Sequence, residues 1–230
     1  MNHLLFTGKM KLADVLMGNY RLLLVLDRFR LHLGFGEKSV EEVCMAHGIP
    51  APLFLMVCNV YTFGDYLPGE GDLKAIDVRS LLGYLQSSHH YYKEKCLPGI
   101  RHKLDALEER TRNRSSQILQ RFYSDYQAEV MNHFDYEEFT AFPYVMGLME
   151  GRAVTEAYSI GQFEKNHSNI EEKLNDMKSI LIKYLPDTEE QDMLRELLFD
   201  LFELEDDFRK HTLMEDKVLV PLVEQMERKG

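Results

Sequence analysis

Apolar residues recur along this 230-residue chain at intervals of three and four, as in Leu194, Leu197, Leu198, Leu201, Phe202 and Leu204. That is the period of one helix face, and strand-like alternation bounded by turn dipeptides is hard to find. The pattern predicts an all-α fold. It breaks clearly once in the first third, at Tyr66-Leu67-Pro68-Gly69-Glu70-Gly71-Asp72, where a proline, two glycines and three acids interrupt it. A domain boundary is expected there, dividing the chain into 1–70 and 71–230. The first part reads as about four short helices, separated at Gly18, Gly34-Phe35-Gly36 and Gly48-Ile49-Pro50. The second reads as long helices near 78–96, 114–149, 154–184 and 188–220, with a further helical stretch near 99–111. Thr188 and Gln191 form a candidate capping box directly after Pro186. Four long antiparallel helices with short connections make a four-helix bundle.

Composition narrows the function classes. Hydrophobic residues are 45% of the chain, enough for a real core, and the net charge is −11, of which −10 falls in residues 80–230. Such a surface repels phosphate backbones, so nucleic acid is not an expected partner. Cys44, Cys58 and Cys96 are odd in number and widely spaced, with neither a C-x-x-C pair nor a disulfide framework. This usage fits a reducing, cytoplasmic setting. The apolar patch at Leu4 to Phe6 is too short for a signal segment, and no later run approaches the roughly 18 apolar residues of a membrane span. No membrane partner is expected either.

The candidate chemistry lies in histidine and glutamate. His3, His32, His47 and His102 have no acid four positions on and read as ordinary histidines. His133 is followed by Glu137 and Pro143, and His211 by Glu215 and Pro221, so H-x3-E-x5-P occurs twice. Residues at i and i+4 share a helix face, and each such helix offers one imidazole and one carboxylate inward. His90 precedes His133 by 43 residues and His167 precedes His211 by 44, which makes the second half look like a repeat of the first. Pairing the halves gives four imidazoles and two carboxylates about a pseudo-twofold axis. Mixed histidine and carboxylate in a bundle interior suits iron more than calcium or structural zinc. Two bridging carboxylates, two imidazoles per metal and an oxo or hydroxo bridge bring each iron to about five ligands and leave one position open. The ferritin-type Glu-x-x-His arrangement and the H-E-x-x-H of zinc hydrolases are both different. The H-x3-E spacing alone is weak, because His90 with Glu94 and His167 with Glu171 share it, and Glu94 and Glu171 stay open as rival ligands. A metal-free helical interaction protein with an acidic surface is the bland alternative.

The segments His89-His90-Tyr91-Tyr92 to Leu97-Pro98, His133-Phe134-Asp135-Tyr136-Glu137-Glu138 to Phe142-Pro143, and His211-Thr212-Leu213-Met214-Glu215-Asp216 to Pro221 resemble the bacterial hemerythrin-like proteins of the repair-of-iron-centres family. The likeness covers nearly the whole chain. It implies a hemerythrin-like four-helix bundle preceded by a small helical domain, with two non-haem irons, oxo- or hydroxo-bridged, on His90, His133, His167 and His211 and bridging carboxylates on Glu137 and Glu215. His90 is preferred to His89 for its eight-residue distance to Pro98, which is similar to the family's spacing. Implied too are a cytoplasmic stress protein, reaction with nitric oxide, oxygen or peroxide, and restoration of iron-sulfur clusters by giving up iron. An enzymatic variant would reduce nitric oxide or consume peroxide, with iron-sulfur proteins as partners; an oxygen or nitric oxide sensor is the rival function. The family's Cys-Cys-Gly-Gly turn reads Leu33-Gly34-Phe35-Gly36 here, and its histidine-glycine near Thr111 to Arg114 is absent, so thiol chemistry at that turn is not expected. Oxygen-carrying hemerythrins use five histidines and H-x4-D in the last helix, where this chain has H-x3-E. One histidine fewer points to a more open, more labile site.

Overall fold

The computed structural model describes residues 5–152, 159–161, 168–183 and 190–228. Every regular element among them is helical, and the only pairing of the strand type is an isolated bridge between Lys11 and Ser39. The all-α expectation holds. None of these helices is long and apolar enough to cross a membrane.

The described residues pack as two compact units, one of residues 5–88 with 213–228 and one of the residues between 89 and 212. The expected boundary at 70/71 falls inside the first of them, where α5 (Glu70–Leu73) forms a single turn capped by its own Asp72. This unit begins with four short helices, α1 (Leu12–Gly18), α2 (Leu22–Arg28), α3 (Val40–His47) and α4 (Ala51–Thr62). Ser39 and Glu42 close a capping box at the start of α3, and Gly48 ends it at φ 66°, a left-handed conformation that glycine adopts without a Cβ clash. Its core is apolar, with Leu12, Val15, Leu22, Val25, Val40, Leu53, Phe54 and Val57 almost wholly buried. Cys44 and Cys58 sit in that core as free thiols, and burial pushes the Cys44 thiol up to about 11 and Cys58 higher still. Buried neutral thiols of this kind are inert.

The second unit is the helical bundle. Its elements are the end of α6 (Val78–Tyr91), then α7 (Leu97–Thr111), α8 (Arg114–Tyr136), α9 (Phe142–Met149), α10 (Ser168–Lys183) and most of α11 (Gln191–Met214). Asn113 caps α8 by accepting the Ser116 amide. Thr188, the expected cap of α11, lies outside the described residues. Leu104, Leu119, Tyr123, Tyr126, Val130, Leu174, Met177, Leu197, Leu201 and Leu204 fill the interior. Each such side chain contributes about 1.5–3 kcal/mol on full burial, which lets this interior carry polar groups at one end.

Helices expected to stop before Pro98 and Pro221 continue through them, and the helix expected over 114–149 runs through Pro143 as read. Helical backbone runs through Pro98, Pro143 and Pro221, because a five-residue π turn precedes each: Tyr92–Cys96, Glu137–Ala141 and Glu215–Leu219. Proline has no N–H, and its ring collides with the carbonyl four residues back. Widening the turn by one residue relieves this. The residue before each proline donates instead to the carbonyl five back: Leu97 to Tyr92, Phe142 to Glu137 and Val220 to Glu215. Residues 78–111, 114–149 and 191–227 are therefore unbroken helical spans, the last ending in α12 (Val220–Glu227).

Candidate metal centre

The three π turns stand in one register. Each begins six residues before its proline, and its first residue is wholly buried: Tyr92, Glu137 and Glu215. On α8 the inward stripe Leu119, Tyr123, Tyr126, Val130, His133 ends on Glu137. On α11 the stripe Leu197, Leu201, Leu204, Phe208, His211 ends on Glu215. Alternating steps of three and four keep each series on one face. The H-x3-E pairs therefore point inward, as their spacing predicts. Single-turn π insertions are frequent at functional sites, since one extra residue re-aims the side chains beside it.

The lone histidine of the first half is a correction. His90, the expected ligand, is exposed, and His89 is the buried residue of the pair. Its helix buries Leu82, Leu85, His89 and Tyr92, and position 90 falls with exposed Gly83 and Gln86 on the opposite side. Counting back from Pro98 misleads because the π turn adds a residue to the interval. The stripe itself carries the right signal. Glu94 and Glu171, the rival ligands, are both exposed. His167 lies outside the described residues.

His89, Glu137, His211 and Glu215 each offer a ligand atom, and these atoms all lie within 4.8 Å of one another. Glu215 stands one turn beyond His211 on the same unbroken helix. All four residues are at most 1% exposed. His89 Nε2 lies 3.0 Å from Glu137 Oε2 and 3.2 Å from His211 Nε2. The other Glu137 oxygen, Oε1, lies 3.3 Å from Nε2 of buried His133. One carboxylate thus spans two imidazoles, one from α6 and one from its own helix.

Aromatic rings fix and seal this end of the bundle. The His89 ring stacks on Phe134 at 4.3 Å between centroids and on Phe142 at 5.6 Å. Tyr92 stacks on Phe208 at 4.4 Å and meets His211 edge-on at 5.7 Å. On its far side, His89 Nδ1 donates to Glu138 Oε1 at 3.0 Å, and Lys93 joins Glu138 and Asp135 at 3.3 and 3.2 Å. The hydrogen bond from His89, helped by the nearby Lys93 charge, holds the Glu138 carboxyl below its ordinary range despite partial burial. With its Nδ1 proton given to Glu138, the imidazole turns the Nε2 lone pair to the cluster, the outer-shell arrangement that orients a metal-binding histidine.

The donor set fits a metal. Two carboxylates and two imidazoles in a dry site cost several kcal/mol per charge unless positive charge is shared among them. A cation among these oxygen and nitrogen atoms supplies it. The mixture of imidazole and carboxylate suits iron and its first-row neighbours better than calcium, which takes oxygen alone.

The profile of the hemerythrin HHE cation binding domain matches residues 82–223. The chain belongs to the hemerythrin HHE family. Among curated proteins none matches closely enough to count as a relative. The match takes in all three π turns and all four clustered residues. Membership thus rests on the same helices that the H-x3-E-x5-P repeats mark in the sequence. The π turns and Glu138 are the parts that sequence reasoning misses, while His89 is weighed there and passed over for His90. The helix stripe could have found His89, but no sequence signal singles out Glu138.

Proposed function

We propose that this hemerythrin HHE protein holds two non-haem irons and serves the nitrosative and oxidative stress response by protecting or repairing iron-sulfur centres. The observation that carries the reading is the buried quartet His89, Glu137, His211 and Glu215 inside an HHE domain. A second ion is supported by Glu137, whose two oxygens face imidazoles of different helices, His89 and His133. In this reading His89 and His211 would hold one ion and His133 the other, with His167 as its expected partner, and Glu137 and Glu215 would be shared between them. Iron bound there supplies redox chemistry toward nitric oxide, oxygen or peroxide.

The chain's own groups do the rest. Glu138 holds the His89 ring in its tautomer, while Phe134, Phe142 and Tyr92 keep bulk water from the donors. A four-histidine set leaves room on the metals for a diatomic or peroxide ligand and favours release of iron to damaged clusters. The net charge of −11 supports protein partners that carry iron-sulfur centres and opposes nucleic acid. All three cysteines are thiols rather than disulfides, which supports a reducing, cytoplasmic setting.

Anaerobic loading of the full chain with ferrous iron, followed by metal analysis and an optical spectrum after oxidation, tests the centre. Two irons per chain are expected, with release to a chelator accelerated by nitric oxide. Transfer is then read as reactivation of an iron-sulfur enzyme damaged by nitric oxide. A chain that takes up no iron overturns the centre. One that holds two irons, releases none and reactivates nothing overturns the repair role while leaving the centre intact.

A further inference from the structure

The N-terminal unit contains a cavity of about 500 Å³. It lies within residues 5–75 and uses none of the candidate metal ligands. Its construction starts from a polar residue in an apolar helix. Asn59 on α4 is 5% exposed, flanked by buried Cys58 and Val60, so its amide must find partners. It finds them on Phe6: the Phe6 amide donates to Asn59 Oδ1 at 2.8 Å, and Asn59 Nδ2 donates to the Phe6 carbonyl at 3.5 Å. The Glu41 amide adds a bond to the Gly8 carbonyl at 3.0 Å. Residues 6–8 are thereby held as one wall.

The remaining walls are apolar, formed by Leu55, Met56 and the ring of Tyr66, while Glu41 and Asp72 supply carboxylates. Among the described residues, no lysine, arginine or histidine lines the space. Glu41 is held close by a missing side chain. A Cβ on Gly8 would fall 2.3–2.5 Å from the Glu41 side chain, so glycine at 8 lets that side chain lie against the wall. Burial and the bond to Asp72 push the Tyr66 phenol up to about 12, which keeps it a neutral donor to that carboxylate.

Preformed, apolar-walled cavities of this size with a few convergent polar groups are the usual form of small-ligand sites. The charged groups among the described lining residues share one sign, both being carboxylates. An anion would be repelled, and a neutral apolar ligand would strip water from the carboxylates without replacing it. We propose that this cavity binds a small organic cation, an ammonium group on an apolar stem, with the stem between Phe6, Leu55 and Met56 and the charge at Glu41 and Asp72.

Titration of the full chain by amide NMR with hexylammonium, hexanol and hexanoate tests this. Saturable shifts at Phe6, Gly8, Glu41 and Tyr66 are expected with hexylammonium, at least about tenfold weaker binding of hexanol, as suits a charge-assisted contact, and none of hexanoate. Glu41→Gln should bring hexylammonium down toward hexanol. Gly8→Ala should do the same by displacing the flexible Glu41 carboxylate, and Leu55→Trp should block both ligands by filling the space. A preference that survives Glu41→Gln, equal binding of hexylammonium and hexanol, or no saturable shift with any of the three overturns the proposal. Glu41 is exposed, so its replacement reports on charge without threatening the fold.

Discussion

His133 and His211 each stand four residues before a buried glutamate and ten before a proline, on helices that widen into a π turn at the same point. Their surroundings differ. His211 Nε2 approaches His89 Nε2 at 3.2 Å and joins the group of four, whereas His133 meets the outer oxygen of Glu137 at 3.3 Å and stands beyond it. A repeat in sequence therefore does not pair each histidine within its own half. The lone histidine of the first half sits with the H-x3-E helix of the second, and in the two-ion reading His133 looks to the second half in turn. Each ion then draws on both halves, with Glu137 and Glu215 as the shared elements.

That cross-pairing can be broken at its shared members with the largest effect. Glu137→Ala or Glu215→Ala is expected to remove a ligand from both ions at once, lowering iron affinity by more than the roughly 10–100-fold that loss of an outer-shell partner costs. Chelator competition on the loaded protein measures it. Wild-type iron retention by either variant would dismiss the bridging role.

Next in size are the single histidines. His89→Ala and His211→Ala should each weaken one ion, and His90→Ala should leave the iron content at two per chain, since that side chain is exposed. His133→Ala separates two versions of the comparison. If it lowers the load to one iron, the halves are cross-paired around two ions; an unchanged load makes the quartet a complete single-ion site. Smaller again is Glu138→Gln, which keeps the His89 contact but loses its charge. A drop of about 10–100-fold in affinity with two irons still bound at saturation is expected, and an unchanged affinity would remove Glu138 from the outer shell.

Much of this site is legible in the sequence because helix periodicity and buried chemistry use the same positions. The stripes ending on Glu137 and Glu215 are runs of leucine, tyrosine, valine and phenylalanine at steps of three and four, so those glutamates stand out as acids at core positions. His89 is equally legible on the stripe through Leu82 and Leu85, but the distance counted to Pro98 favours His90 instead. That count assumes a uniform helix. The π turns are invisible to periodicity because they break it locally, and proline alone reads as a stop. The compact units are less legible still. The run of glycine, proline and acids at 66–72 marks a loop and a one-turn helix, but packing carries the described residues up to Ser88 as part of one unit.

The smallest expected effect concerns the prolines themselves. If Pro221 alone imposed its π turn, Pro221→Ala would return an N–H to the backbone, permit an ordinary α turn and rotate everything after it by about 100°, the step of one residue. Val220 and Val223 are buried on α12, and that rotation would carry them off their face while turning Glu215 relative to His211. Losing two buried valines costs about 1.5–3 kcal/mol each, more than one regular helical hydrogen bond returns at about 1 kcal/mol. Packing should therefore hold the wide turn without the proline. Pro221→Ala is expected to keep two irons and change affinity within about twofold, the scale of roughly 0.5 kcal/mol seen for substitutions away from special features. Pro143→Ala should behave alike, since Val145 is buried after the corresponding turn. Hydrogen exchange at Val220, and at the backbone amide that the substitution introduces one residue later, reports the turn directly, and chelator competition reports the site. If Pro221→Ala loses iron as readily as Glu138→Gln does, the proline and not the packing fixes where Glu215 points.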